Sequence, residues 1–399
     1  MSSKPLSGVR VVDLSRVVSG PLCGRMLADL GAEVIKIEAP GGDVTRTVPP
    51  VVSDVSVYYA QLNAGKRNVC LDLKSPGAAE VIARLAGASD VVVENFRPGV
   101  LARFGLDAPS LRAGNPRLIY CSITGWGQDG PWMDRRAYAP LVHAEVGMLE
   151  MGGRVRGRRP EQEVNQHGDV YPALMATNAV LAALLQRATT GKGQHLDVAM
   201  GQSLVYVNEW AAVGLQRHVG DHGAFATWTH RNYRLGDGSY VAFVGNPVRM
   251  FPAWVRCLGG DQGMLTDPRF ATEEARAEHV DEVVDALDSL VSRFPNAESV
   301  EARLDPSMLA GPVRALADLA QSDWAQQRGL IAEVAPGLPV PAAPWQSDGA
   351  DVGVTGTVAS MGAHNRAVLT EIGGYSAAEI DALVEAGVLR SAGAPPPPG

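Results

Sequence analysis

The sequence predicts an α/β protein: a large Rossmann-like domain with a parallel, helix-covered sheet, and a smaller α+β domain inserted after it. Three observations predict this. Over the first 125 residues short β-branched runs alternate with helical stretches, the rhythm of βαβ units. A hairpin pattern at Asn232–Val244 then breaks that rhythm. The chain's 399 residues are 46% hydrophobic and 20% charged, a globular composition long enough for two or three domains.

Taken in order, Val9–Leu14 is an apolar, β-branched run and reads as a buried strand. A Ser-Gly-Pro turn at Ser19–Pro21 opens a helix through Met26 and Leu27. Glu33–Glu38 is the second strand and Asn68–Leu73 a candidate edge strand. Ala78–Leu85 reads as helix, and Asp90–Glu94 and Leu118–Ile123 as strands. A long helix is predicted from about Pro172 to Arg187, since proline is favoured at the first helical position. His195–Val198 returns as a strand, and another helix follows Gly201 to about Leu215.

Near residue 218 the texture changes. After the hairpin around Gly236–Gly238, helices are expected at about 248–258, 273–293 and 313–328. Residues 330–345, rich in proline, lead back to the first domain. Ser376 and Glu379 form a capping box ahead of Ile380, Leu383 and Val384. The tail from Ala394 reads as a polyproline end. The expected division is 1–218, 219–329 and 330–399, the last returning to the large domain.

A net charge of -8 argues against nucleic acid or an anionic membrane as partner, while leaving room for a local basic pocket. No apolar run reaches the roughly 18 residues that span a bilayer, and the N-terminus lacks a signal peptide's apolar stretch. Cys23, Cys70, Cys121 and Cys257 stand apart, which argues against a disulfide framework or metal site. A cytoplasmic location is expected.

The first βα turn, Ser15–Gly24, lacks GxGxxG, and Pro21 removes an N–H donor. Nicotinamide and flavin binding are therefore not expected, although Glu38 ends the second strand where a ribose-binding acid would sit. Gly168-Asp169 precedes Pro172 and carries two readings. It is a helix cap, the reading composition favours, or a carboxylate nucleophile near helix N–H groups. Lys66-Arg67, Lys74, Arg97, Arg103 and Arg135-Arg136 are surface charges in isolation and a polyphosphate site if the fold gathers them. Gly125–Pro131 is a turn-rich loop after a strand. His143 lies in an apolar helical stretch, and His167 supports Asp169 instead of acting as a base, since no GxSxG elbow is present.

Together these segments resemble the class III CoA-transferases, which include formyl-CoA, carnitine and benzylsuccinate CoA-transferases and the α-methylacyl-CoA racemases. The matching pieces are Leu6–Leu14 (LSGVRVVDL), Leu27–Glu38 (LADLGAEVIKIE), Leu62–Arg67 (LNAGKR), Val93–Gly99 (VENFRPG), Asn115–Tyr120 (NPRLIY), Gly191–Val198 (GKGQHLDV) and Asp267–Phe270 (DPRF). They occur in fixed order across nearly the whole chain.

The resemblance implies a large domain built from both chain ends, a small domain between, and two subunits threaded as interlocked rings. It implies transfer of CoA from an acyl-CoA thioester to a carboxylic acid, with CoA as substrate and no tightly bound cofactor. Gly168-Asp169 matches the motif of the nucleophilic aspartate, which overturns the cap reading. That aspartate forms a mixed anhydride with the donor acyl group and then an aspartyl-CoA thioester. The resemblance also implies a CoA site at Val18, Leu71, Lys74, Asn95, Phe96, Arg103, Arg136 and Tyr138. Lys74 and Arg103 fall toward the nucleotide or phosphates, and Arg136 and Tyr138 toward the pantetheine arm.

Two departures bear on specificity. Formyl-CoA transferases have Gln at Val18 and a glycine-rich shielding loop where this chain has only Thr227–Arg231, which argues against formyl-CoA/oxalate specificity. The racemases have a His-Asp pair at Tyr138-Ala139, so a two-base proton swap here lacks one base. An acyl-CoA racemase or epimerase, and a non-catalytic acyl-CoA-binding protein, are the competing readings.

Overall fold

A computed structural model describes residues 4–155, 159–215 and 230–391. Its first elements are Arg10–Asp13 (β1), Ser19–Asp29 (α1), Glu33–Glu38 (β2), Val51–Val52 (β3), Val55–Ser56 (β4), Val57–Asn63 (α2) and Arg67–Cys70 (β5). Ala78–Gly87 (α3), Val91–Glu94 (β6), Ala108–Gly114 (α4), Ile119–Thr124 (β7), Ala139–Glu145 (α5) and Met148–Val155 (α6) follow. Then come His167–Thr190 (α7), His195–Ala199 (β8), Met200–Val207 (α8) and Ala211–Gly214 (α9).

The central sheet has strand order β5-β2-β1-β6-β7-β8, and every pairing in it is parallel. Side-chain alternation along the strands divides its apolar residues between two clusters, one per face. Val12 and Val92 join α3 and α4, with Val81, Ile82, Leu85 and Leu111 buried there. Val11, Val91 and Val93 join α1 and α7, with Leu27, Ala173, Ala176 and Val180. Each fully buried Val, Leu or Ile contributes about 1.5–3 kcal/mol, so these faces hold the unit together.

The helix after β1 covers one face and the helix after β6 the other. The loops after β1 and β6 therefore diverge at adjacent strands, which opens a crevice at the sheet's carboxyl edge. α7 runs back between the parallel strands β7 and β8, so its N-terminus lies at that same edge.

α7 begins five residues before Pro172, so that proline lies inside the helix. Pro172 is the sixth residue of the helix, so its missing N–H leaves the Gly168 carbonyl without its i+4 donor. The expectation that Gly168-Asp169 precedes the helix is corrected: both are in its first turn. Gly191, at φ 70, ends it in the left-handed conformation. α7 is also the one described helix long and apolar enough to cross a membrane. Its buried side fills the core beside α1, and buried Arg187 pairs with Asp90 at 2.8 Å.

A second compact unit comprises 150–155, 159–161, 214–215 and 230–322; residues 4–149, 162–213 and 323–391 form the first. The second contains His230–Arg234 (β9), Tyr240–Val244 (β10), Pro247–Cys257 (α10), Glu273–Glu278 (α11), Val280–Val291 (α12), Ala297–Glu301 (α13), Leu309–Pro312 (β11) and Leu316–Ala320 (α14). β9 and β10 form the expected hairpin, with β11 on the far edge of β10. Phe243, Phe251, Trp254 and Leu287 pack its core. The helix expected at 273–293 is two helices, broken at His279.

Back in the first unit are Asp323–Arg328 (α15), Ile331–Glu333 (β12), Pro339–Pro341 (β13), Asn365–Glu371 (α16) and Ala377–Glu385 (α17). Ser376 and Glu379 form the capping box of α17, which buries Ile380 but leaves Val384 exposed. Residue 218, Thr227–Thr229 and the proline tail lie outside the described residues.

Candidate active site

The loop after β1 is braced from four directions. Asp13, fully buried, accepts the Ser15 N–H and its hydroxyl. The Lys36 ammonium donates to the Ser15 carbonyl at 2.8 Å. The Asn95 amide accepts the Arg16 N–H at 2.9 Å and donates to the Arg16 carbonyl at 2.8 Å. Asp43 accepts the Val17 N–H at 2.9 Å. Val17 has φ 70, a left-handed conformation that a β-branched residue adopts only under surrounding constraint. Val18 follows, buried, and α1 starts with no side-chain cap on its N–H groups.

These braces use residues expected elsewhere. Lys66 is not a surface charge: its ammonium is buried and donates to Asp13 (2.8 Å), the Pro21 carbonyl (2.7 Å) and Asn63 (3.0 Å). Burial raises the Asp13 pKa, but Lys66 and Lys36 outweigh it and hold the carboxyl below its ordinary range. Arg67 is half-buried between Glu33 and Glu371. Glu38 ends β2 holding Arg46 (2.6 Å), Tyr59 and Asn68, so its carboxylate is occupied by protein.

The other positions fall on the same carboxyl edge. Leu71 is buried after β5, its N–H donating to the Glu38 carbonyl. Lys74 is exposed three residues on, with no ion-pair partner among the described residues. Phe96 is half-buried in the cluster that holds Leu71 and Phe104, the neighbour of Arg103. Its N–H donates to Glu94 at 2.8 Å. Burial pushes Glu94 up to about 7, with the Ser122 hydroxyl and Phe96 N–H opposing. Arg103 is exposed. Arg135 is held over Trp132, 4.5 Å from its ring, and against Glu145 at 2.9 Å. Arg136 beside it is exposed and unpaired among the described residues, and Tyr138 is 63% exposed at the start of α5.

Asp169 sits in the first turn of α7, half-exposed, with no hydrogen-bond or ion-pair partner among the described residues. Desolvation alone pushes its carboxyl up to about 6 from an ordinary 3.8. The helix N–H groups do not serve it. His167 and Asp169 donate to the carbonyls of Asn165 and Gln166, Val170 also donates to Gln166, and Gly168 donates to His143. The cap reading therefore fails on geometry: none of these N–H groups donates to the Asp169 carboxylate.

Several site features escaped the sequence. Burial, and then the charge of Asp169, raise the phenol pKa of Tyr58 on α2. Arg16, which the sequence reading passed over, joins Arg97 as an exposed cation with no ion-pair partner among the described residues, on the loops after β1 and β6. Each lies three residues beyond a strand's carboxyl end, the one signal that could have marked Arg16. His167 stacks on Tyr171 with ring centroids 5.1 Å apart. No cluster of metal-ligating side chains occurs among the described residues.

A partly buried carboxylate with no partner among the described residues, and exposed cations on loops at the same sheet edge, suit a reaction that uses an anionic ligand and a carboxylate nucleophile. Comparisons with known proteins give the family. A succinate–glutarate CoA-transferase of Agrobacterium fabrum is 35% identical over 339 residues, 82% of this chain and 84% of that protein. An acetyl-CoA:oxalate CoA-transferase of Acetobacter aceti is 32% identical, covering 84% of this chain and 88% of that protein. A crystal structure of a CAIB/BAIF family protein from Brucella suis superposes with a TM-score of 0.83 at 30% identity, covering 93% of this chain and all of that one. The model of CoA-transferase family III matches residues 6–365. With nearly its whole length so matched, the chain belongs to CoA-transferase family III and is an enzyme of that class.

Proposed function

We propose that this enzyme moves CoA from an acyl-CoA thioester to a carboxylic acid through a covalent intermediate on Asp169. The observation that carries this is the Asp169 carboxylate itself, desolvated, without a partner among the described residues, at the carboxyl edge of the sheet. Water solvates and weakens a carboxylate nucleophile, and partial burial strengthens it.

The steps balance without a cofactor. An Asp169 oxygen attacks the donor carbonyl, and the C–S bond breaks to release CoA thiolate. The thiolate attacks the Asp169 carbonyl of the anhydride, giving an aspartyl-CoA thioester and the donor acid. The acceptor carboxylate attacks that thioester, forming a second anhydride and freeing thiolate again. The thiolate then attacks the acceptor carbonyl, and Asp169 returns as carboxylate.

Val18, Leu71, Asn95 and Phe96 would shape the CoA crevice, Asn95 by holding the loop after β1 with its whole amide. Lys74 and Arg103 would meet the nucleotide phosphates, and Arg136 and Tyr138 the thioester end. Short dicarboxylic acids are proposed as acceptors, because the named relatives act on glutarate and oxalate. A homodimer of interlocked subunits in the cytoplasm completes the reading. Racemisation is disfavoured because Tyr138-Ala139 stands where the racemases have a His-Asp pair, and the Nε2 of His143 on the same helix already accepts the Gly168 N–H.

The test is a screen of succinyl-CoA and acetyl-CoA against a panel of acids, read by mass spectrometry. Wild type is expected to form new acyl-CoA with at least one dicarboxylic acid, and Asp169→Ala to lose roughly 10⁴-fold in turnover. An Asp169→Ala variant as active as wild type would exclude the covalent route.

A further inference from the structure

We propose that His143 is a positioning residue for transfer: it fixes the first turn of α7 and so the direction in which Asp169 is presented. This rests on Asp169 as nucleophile.

The inference begins with packing. α5 buries Ala139, Val142 and His143, the residues spaced along one helical face. Gly168 lies against the start of that face, where a Cβ would be 2.8 Å from the Ala139 Cα and 3.1 Å from its carbonyl oxygen. Only glycine permits this approach.

The Gly168 peptide is unusually dependent on outside help. Its N–H is among the four that a helix start leaves without an internal acceptor. Its carbonyl faces Pro172, which has no N–H to give. Neighbouring N–H groups close onto Gln166 and Asn165, which leaves the Gly168 N–H to His143. It donates to Nε2 at 2.8 Å, in a buried setting.

That bond dictates the ring's protonation. Nε2 accepts, so the single ring proton is on Nδ1. Nδ1 is itself buried and finds no partner among the described residues. Burial, and then the nearby His167, favour the neutral ring, keeping Nε2 an acceptor. A leucine would remove the orphaned Nδ1 but would leave the buried Gly168 N–H without an acceptor. The histidine carries one orphaned donor and supplies the acceptor that the Gly168 N–H needs. Asp169 is the next residue, so rotation of the Gly168 peptide swings its carboxylate. A misplacement of about 1 Å is enough to cost about 10²-fold in rate.

The test compares His143→Ala, His143→Gln and His143→Asn with Asp169→Ala. Succinyl-CoA is the donor, with the acid that wild type uses fastest in the screen above. The glutamine oxygen reaches the place of Nε2; the asparagine oxygen corresponds to Nδ1 and stops short. His143→Ala and His143→Asn are expected to lower kcat by about 10- to 100-fold with the succinyl-CoA KM within about two-fold of wild type. His143→Gln should recover to within about five-fold of the wild-type kcat. If His143→Ala does not fold, the Gln/Asn pair decides. Equal kcat in those two variants, or a change confined to KM, would overturn the role. An active Asp169→Ala would instead remove the nucleophile; an inactive one beside a fully active His143→Asn removes only this inference.

Discussion

Asp169 is a carboxylate that the fold desolvates without compensating, and this has a measurable consequence. Its folded-state pKa of about 6 lies above the ordinary 3.8, so the folded protein binds this proton more tightly than the unfolded chain. The stabilisation is complete at acid pH, below the ordinary value, and is lost as pH rises through about 6. Ionised Asp169 thus strains the fold at neutral pH. Asp169→Asn should raise the melting temperature at neutral pH, with the gain shrinking toward pH 4; a loss at neutral pH would contradict this. Activity should fall below about pH 6, as the nucleophile protonates. The exposed cations behave differently. Lys74→Ala and Arg103→Ala should raise the acyl-CoA KM several-fold and leave kcat unchanged, because a phosphate contact is equal in ground and transition states. Steady-state kinetics at two salt concentrations check this, and an unchanged KM and salt dependence would remove both residues from the nucleotide site. Motif order marked Asp169, whereas nothing local announced that His143 and Tyr58 would approach it: such pairings exist only after α5, α2 and α7 have packed.

The β1–α1 junction shows what reading along elements can miss. Lys66-Arg67 reads as a basic surface pair, because a strand start is usually solvated. In the fold β5 is the sheet edge and α2 closes over Lys66, so the ammonium becomes the buried partner of Asp13. Lys66→Met would strand the Asp13 charge and should cost about 3–5 kcal/mol in chemical denaturation. Adding Asp13→Asn should recover most of that loss; a double variant no better than the single one would contradict the pairing. Asp13 has a lowered folded pKa, so its stabilisation is present above 3.8 and lost as pH falls below that value. The strands were legible from their β-branched runs, and β2 falls on Glu33–Glu38 as expected. The start of α7 was not. Proline as a start signal points to residue 172, whereas packing against Ala139 carries the helix back to His167.

For the whole molecule, the α/β class was legible because parallel strands buried on both faces have no polar alternation to hide them. Strand order was not, since β1 and β6 meet across about 80 residues of sequence, a pairing the sequence does not encode locally. The proposed interlocked dimer has its own signature: dissociation should require unfolding, so dilution should release no folded monomer in analytical ultracentrifugation. A reversible equilibrium between folded monomer and dimer would exclude interlocking. The covalent route is tested most directly by following oxygen. A full cycle through two anhydrides leaves one acceptor oxygen on the nucleophile. Turnover with a heavy-oxygen-labelled acid, followed by peptide mass spectrometry, should therefore place heavy oxygen on Asp169 and on no other residue. An Asp169 peptide that remains unlabelled after many turnovers would contradict the account.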